Sequence, residues 1–311
     1  MSAPRLLVVG SYNASLTVFS DELPRRGQTV LGHQVIIGPG GKGNNQAIAA
    51  RRLGADVAFV VKVGRDSFGE FARELLAREK FDPSLILEGN QGTGVALIMV
   101  DASGDNMISV APESNAELEL ADVIKLSSNF EGATHLLCQL ECSVELFRDV
   151  SRWTREHNMK TVLNPAPAVP LEDDIYELID ILTPNETELQ ILTGRDIDSD
   201  GAALAAARLL IERGVGSVVL TRGARGVLQV TADQVQSYDA YFVDARDTTG
   251  AGDAFNGGLL VALTEGRSME NAIDLGMRAA AFCVTRAGVI DGLPSRSELD
   301  SEIPPRSVSF A

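Results

Sequence analysis

The sequence predicts an α/β fold with a mostly parallel central sheet, helices on both of its faces and a small β-sheet standing off it as a lid. Three observations carry this. Six runs are almost continuously apolar, as strands buried on both faces are. Amphipathic stretches at helical spacing alternate with them, and a β-α-β-α order implies parallel strands joined by covering helices. Two regions, 13–37 and 93–112, break that rhythm with short strand-like pieces around turn signals.

In chain order, the apolar run 6–10 is the first strand, and 13–37 supplies two lid strands around "ELPRRG". The glycine-rich "GPGGKGNNQA" reads as a turn leading into a helix, followed by a strand over 56–64 and a helix over 69–80. Residues 93–112 form a second lid hairpin around "ASGD". Strands at 134–140, 161–164, 179–185 and 217–223 then alternate with helices at 144–158 and 202–213, and two helices, 254–263 and 269–286, follow. This assigns 1–12, 38–92 and 113–311 to an α/β domain, and 13–37 and 93–112 to the lid. A small sheet with a bare apolar face is poorly stable alone, so it must close over a ligand, pack on a partner subunit, or both.

Composition narrows the function. With 27 Lys+Arg against 43 Asp+Glu, the formal charge is −16, which repels nucleic acid and anionic membrane. No run reaches the roughly 20 apolar residues of a membrane span, and the start lacks a signal-like segment, so a cytoplasmic protein is expected. Three cysteines, Cys138, Cys142 and Cys283, provide neither a disulfide framework nor paired metal spacing.

Four motifs carry candidate chemistry. In "GPGGKGNNQA", Ile36 occupies the place of the first P-loop glycine and Gly43 that of the Mg²⁺-binding Ser or Thr. The glycine spacing also fails as a dinucleotide fingerprint, which disfavours a nicotinamide oxidoreductase. What remains suits close approach to a neutral polyhydroxyl ligand, or is a glycine turn that only packs. "TPNETE" (183–188) ends a buried strand, where ligand crevices of parallel sheets lie, and Asn185 and Glu188 can share a hydrated Mg²⁺; a plain helix start explains the same letters. "TRGARG" (221–226) offers Thr221, Arg222 and Arg225 to phosphates, or is an ordinary turn. In "DTTGAGDAF" (247–255), the N–H groups of Gly250, Ala251, Gly252 and Asp253 open an apolar helix whose dipole favours an anion. Asp253 then reads as the base for a substrate hydroxyl, with a helix-cap role as the bland alternative.

Taken with "GSYNAS", "TGVALIMV", "QLE", "NPAPA" and "VTRAG", the motifs "GGKGNNQA" and "DTTGAGDAFNG" run in order across nearly the whole chain. The sequence resembles the ribokinase-like sugar kinases, the phosphofructokinase B type of carbohydrate kinase. The resemblance implies transfer of the γ-phosphoryl group of ATP to a sugar hydroxyl, D-ribose first among the candidates. It implies sugar contacts from Asn13, Ser15, Gly41, Lys42, Asn45, Glu141 and Asp253. Nucleotide contacts are implied for Asn185, Thr221, Gly223, Gly226 and Gly252, and Mg²⁺ binding through water for Asn185 and Glu188. It further implies a K⁺ loop from Asp247, Thr249, Cys283, Arg286 and Gly288, and a homodimer joined through the lid. Two positions depart from the family pattern. Ser15 replaces an aspartate that grips sugar hydroxyls, and losing a charge-assisted acceptor weakens such a grip by about 1.5 to 3 kcal/mol. 2-Deoxyribose, a ketose or a nucleoside therefore stays open as substrate. Gly292 replaces a serine of the cation loop. A sugar-binding sensor without catalysis is the reading from another class, and it would have no need of Asp253, Asn185 and Glu188 together.

Overall fold

A computed structural model describes residues 5–305. The ends of the expected α/β domain, 1–4 and 306–311, lie outside the described residues. The strands are β1 (Arg5–Val9), β2 (Asn13–Phe19), β3 (Gln34–Gly40), β4 (Asp56–Val63), β5 (Ile86–Glu88), β6 (Val95–Val100), β7 (Asn106–Ala111), β8 (Ala133–Cys138), β9 (Lys160–Leu163), β10 (Ile181–Leu182), β11 (Ser217–Thr221), β12 (Val227–Val230) and β13 (Val235–Tyr238). The longer helices are α1 (Lys42–Arg52), α2 (Ser67–Arg78), α3 (Val144–Glu156), α4 (Glu186–Thr193), α5 (Asp200–Glu212), α6 (Ala251–Thr264) and α7 (Met269–Val284).

Nine strands form the large sheet in the order β13-β12-β11-β10-β9-β8-β1-β4-β5, parallel except for the hairpin β11-β12-β13 at one edge. Central β1 is buried on both faces. Leu6 and Val8 join one core with α1, α2, α6 and α7, while Leu7 and Val9 join the other with α3, α4 and α5. The chain leaves β1 toward β4 on one side and β8 on the other, so a crevice opens at the carboxyl end of β1. No helix among the described residues is long and apolar enough to cross a membrane.

The four remaining strands form a separate sheet in the order β3-β2-β6-β7. Strand β3 continues to Gly40, three residues past the expected boundary, because Gly38 to Gly40 pair with Ser15, Ala14 and Asn13. The glycine-rich segment is therefore half strand and half helix start rather than a free turn. Apolar side chains are exposed on both faces of this sheet: Ile36, Ile108 and Val110 on the face of Ser15, and Val35, Ile37, Leu97 and Met107 on the other. All four junctions of the small sheet with the rest of the chain meet at Asn13. It begins β2, pairs with Gly40 at the end of β3, lies against Gly94 just before β6, and accepts a hydrogen bond from Asn115 just after β7.

Candidate active site

Close backbone packing builds the crevice floor. Gly41 has φ +90° and Gly43 follows it into α1; a Cβ at Gly41 would lie 2.7 Å from Asn13 N, and one at Gly43 2.4 Å from Ser11 N. The glycines assigned to ligand approach are thus required by the chain's own backbone, which locks the start of α1 onto the end of β1. The Lys42 N–H donates to Glu141 Oε2 at 2.8 Å. Ser11 Oγ also donates to that oxygen, and Asn13 Nδ2 does so at 3.2 Å. Asn115, unremarked in the sequence, holds Asn13 Oδ1 at 2.9 Å and both donates to Tyr12 O and accepts from Tyr12 N at 3.0 Å.

Asp253 lies in the first turn of α6 and is 7% exposed. It does not cap the helix. Its Oδ2 accepts from Asn45 Nδ2 and its Oδ1 from Gln46 Nε2, both at 2.9 Å. Gln46 begins a chain of buried amides: Gln139 Nε2 donates to its Oε1 at 2.7 Å, and its second N–H goes to Asn164 Oδ1 at 2.9 Å. Asn164 Nδ2 donates to Thr183 O at 3.0 Å, Thr183 Oγ1 to Asn256 Oδ1 at 2.7 Å, and Asn256 Nδ2 to Gly252 O at 2.9 Å. Sequence reasoning missed these residues, although Gln46, Gln139, Asn164, Thr183 and Asn256 all lie inside the quoted motifs.

At the start of α6, Gly250 is left-handed (φ +81°) and the space at Gly252 is open. Of the four N–H groups expected to face an anion, that of Ala251 is taken by Thr248 O at 3.3 Å. The others begin a fourteen-residue helix and keep its positive end toward the crevice. A polar pocket of about 170 Å³ here is lined by Lys42, Asn185, Glu188, Thr221, Gly252 and Asp253. Burial opposes the charge of Lys42, yet Asp253, Glu141 and Glu188 together hold its pKa above the ordinary lysine value. Burial pushes Glu141 and Glu188 above the usual carboxylate range, with repulsion from Asp253 adding to it.

Asn185 and Glu188 form the reciprocal cap of α4, each side chain accepting the other's backbone N–H at 2.8 Å. The plain helix start is present, and it leaves Glu188 Oε1 outside the cap. Beside the polar pocket opens an apolar cavity of about 350 Å³ whose lining includes Gly223, Ala224, Val243, Ala251, Phe255 and Ala281. Gly223 has φ +56° with open space around it, whereas a Cβ at Gly226 would lie 1.9 Å from Tyr238 O, so Gly226 packs against β13. Arg222 and Arg225, offered above to phosphates, are engaged instead. Arg225 pairs with Glu186, and with Asp200 at 2.9 Å; Arg222 reaches Asp200 at 3.3 Å and Ser237 at 2.8 Å.

The residues of the expected cation loop meet behind α6. Asp247 accepts from Thr249 N at 2.9 Å and Gly288 N at 3.0 Å, and the Cys283 thiol donates to Thr249 O at 3.7 Å. Arg286 N donates to Cys283 O at 3.1 Å, while its guanidinium stacks 3.5 Å from the Phe282 ring centre and grips both Glu302 oxygens. A Cβ at Gly292 would come within 3.2 Å of Cys283 Sγ. All three cysteines are free and buried, with the thiols of Cys142 and Cys283 pushed up to about 12 by burial.

Comparison with known proteins decides the family, since residues 3–296 match the sequence profile of the pfkB family carbohydrate kinases. The chain belongs to the pfkB family. A ribokinase of Haemophilus influenzae is 39% identical over 294 residues, 94% of this chain and 96% of that one. A deoxyribokinase of Salmonella typhi is 33% identical over 292 residues, 93% and 95% of the two chains. The fold matches that of an Arabidopsis thaliana ribokinase solved with ribose and ATP at a TM-score of 0.87 and 28% identity, covering 96% and 98% of the chains. Membership makes this pfkB kinase a phosphotransferase with an alcohol acceptor, on a scaffold of one large, mostly parallel sheet and one small sheet.

Proposed function

We propose that the enzyme transfers the γ-phosphoryl group of ATP to D-ribose, giving ribose 5-phosphate, in the cytoplasm. The observation that carries this is the placement of Asp253. A buried carboxylate, held at both oxygens by neutral amides, lines a polar pocket at an open helix N-terminus, whose Gly252 also lines the neighbouring apolar cavity.

In this reading Asn13, Ser15, Gly41, Lys42, Asn45 and Glu141 orient the sugar, and residues 13–37 and 93–112 act as its lid against water. Thr221, Gly223 and Gly226 bound the cavity for the base of the nucleotide, whose apolar lining suits a flat ring. Asn185 and Glu188 Oε1 suit a hydrated Mg²⁺, which when bound neutralises charge on the phosphates. The N–H groups of Gly250, Gly252 and Asp253 stabilise charge on the transferring group, with Ala251 shaping the turn. Asp253 takes the hydroxyl proton late in the step. Carbonyls around Asp247, Thr249, Cys283, Arg286 and Gly288 suit a K⁺ that stiffens the same turn.

The test is ADP release from MgATP in potassium buffer with D-ribose, 2-deoxyribose, fructose and adenosine side by side. Ribose should turn over fastest, and Asp253→Asn should lower that turnover about a hundredfold or more while leaving ATP binding intact. Silence with every acceptor would favour a sugar outside these four, or the sensor. 2-Deoxyribose is the second reading, favoured by the uncharged Ser15 on the sheet face that also carries Asn13; preferential turnover of that sugar would replace ribose as the substrate.

A further inference from the structure

We propose that Gln46 is a positioning residue that sets the direction of the Asp253 carboxylate, and that Thr183 is the root of the network that orients it. The inference rests on the reading of Asp253 as base.

An amide side chain can turn over and exchange donor for acceptor, so what fixes its sense is a partner that cannot. Here that partner is the backbone carbonyl of Thr183, which only accepts. It forces the Asn164 amide to point its N–H there and its oxygen at Gln46. Gln46, fully buried, must then answer with an N–H, and its other N–H is left for Asp253 Oδ1 while its oxygen takes the Gln139 N–H. Turned over, Gln46 would set a carbonyl against a carboxylate. A second branch is fixed from its far end: Gly252 O only accepts, so Asn256 donates there and turns its oxygen to the Thr183 hydroxyl, and base and anion-binding turn meet at one residue.

The donor's neutrality matters. An amide orients the carboxylate without pairing off its charge, as a cation in that position would. The charged and titratable groups around Asp253 lie elsewhere: Lys42 on α1, Glu141 after β8, Glu188 on α4 and Cys283 on α7.

The experiment compares Gln46→Met and Gln46→Glu with the native full chain, using MgATP and ribose, or whichever acceptor the four-substrate assay selects, across pH. Gln46→Met should keep its thermal midpoint near native and KM for the sugar within about threefold, while kcat falls about tenfold or more. Gln46→Glu is nearly isosteric and donates to Asp253 only while it retains its proton. Its kcat should therefore fall with rising pH over a range where the native profile is flat. Native kcat in Gln46→Met, or a Gln46→Glu profile parallel to native, would overturn the proposal. If Gln46→Met does not fold, the Gln46→Glu profile decides. Asp253→Asn separates the two readings: undiminished turnover there removes the base itself, whereas a dead Asp253→Asn beside a fully active Gln46→Met removes only Gln46.

Discussion

Glu141 concentrates the cost of assembling this site. Its carboxylate is buried beside Asp253, and three donors only partly compensate. Between its ordinary value of 4.5 and its raised folded value, the folded chain holds more protons than the unfolded one, so stability falls as pH rises through that window. Glu188 adds to the same slope. Urea denaturation of the free protein at increasing pH should show it, and Glu141→Gln should flatten it; a slope unchanged in the variant would assign it elsewhere. Glu141 was implied only by the family resemblance, whereas Glu188 and Asp253 were legible in the sequence because each sits in a motif with chemistry of its own. Gln46 and Asn115 were not, since a polar letter in a helix or loop ordinarily marks a solvated face, and only the folded chain shows these two fully enclosed.

Helix α6 explains why two adjacent glycines interrupt an otherwise apolar stretch. In a helix interior each costs about 1 kcal/mol against alanine, so contact must compensate. A Cβ at Gly257 would lie 2.5 Å from Ala49 Cβ of α1, and one at Gly258 2.7 Å from Leu275 O of α7. Gly276 returns the fit, with a Cβ there 2.8 Å from Phe255 O. Gly258→Val should therefore destabilise the fold by about 3 kcal/mol, read as a lowered urea midpoint at constant slope. A midpoint within error of native would show that the helices separate freely. Apolar periodicity revealed α6 and α7, but not this proximity, which depends on partners far apart in sequence. Short elements were equally hard to read. The run over 179–185 yields only the two-residue β10, because Thr183 onward serves the site, and β13, exposed along most of its length, lacks the continuous apolar run that made the central strands conspicuous.

At the scale of the molecule, the small sheet is unfinished on both sides. On the face opposite Ser15, Val35, Ile37, Leu97 and Met107 stay exposed, an apolar set that suits a second copy of the chain. Sedimentation at micromolar concentration should find a homodimer, and Ile37→Lys with Leu97→Lys should shift it to monomer; a native monomer would refute the pairing. The two-sheet plan was visible in the break of rhythm at 13–37 and 93–112, whereas the meeting of all four junctions at Asn13 was not, because Gly40, Gly94 and Asn115 carry no mutual signal in the sequence. That meeting has a mechanical consequence. A strap hung on a single residue has no idle swing: with Asn13 also gripping the sugar, as proposed, the strap could not tilt without moving that contact. Tilt and occupancy would then become a single coordinate, and two straps clasped together would let each pocket feel whether the other is filled.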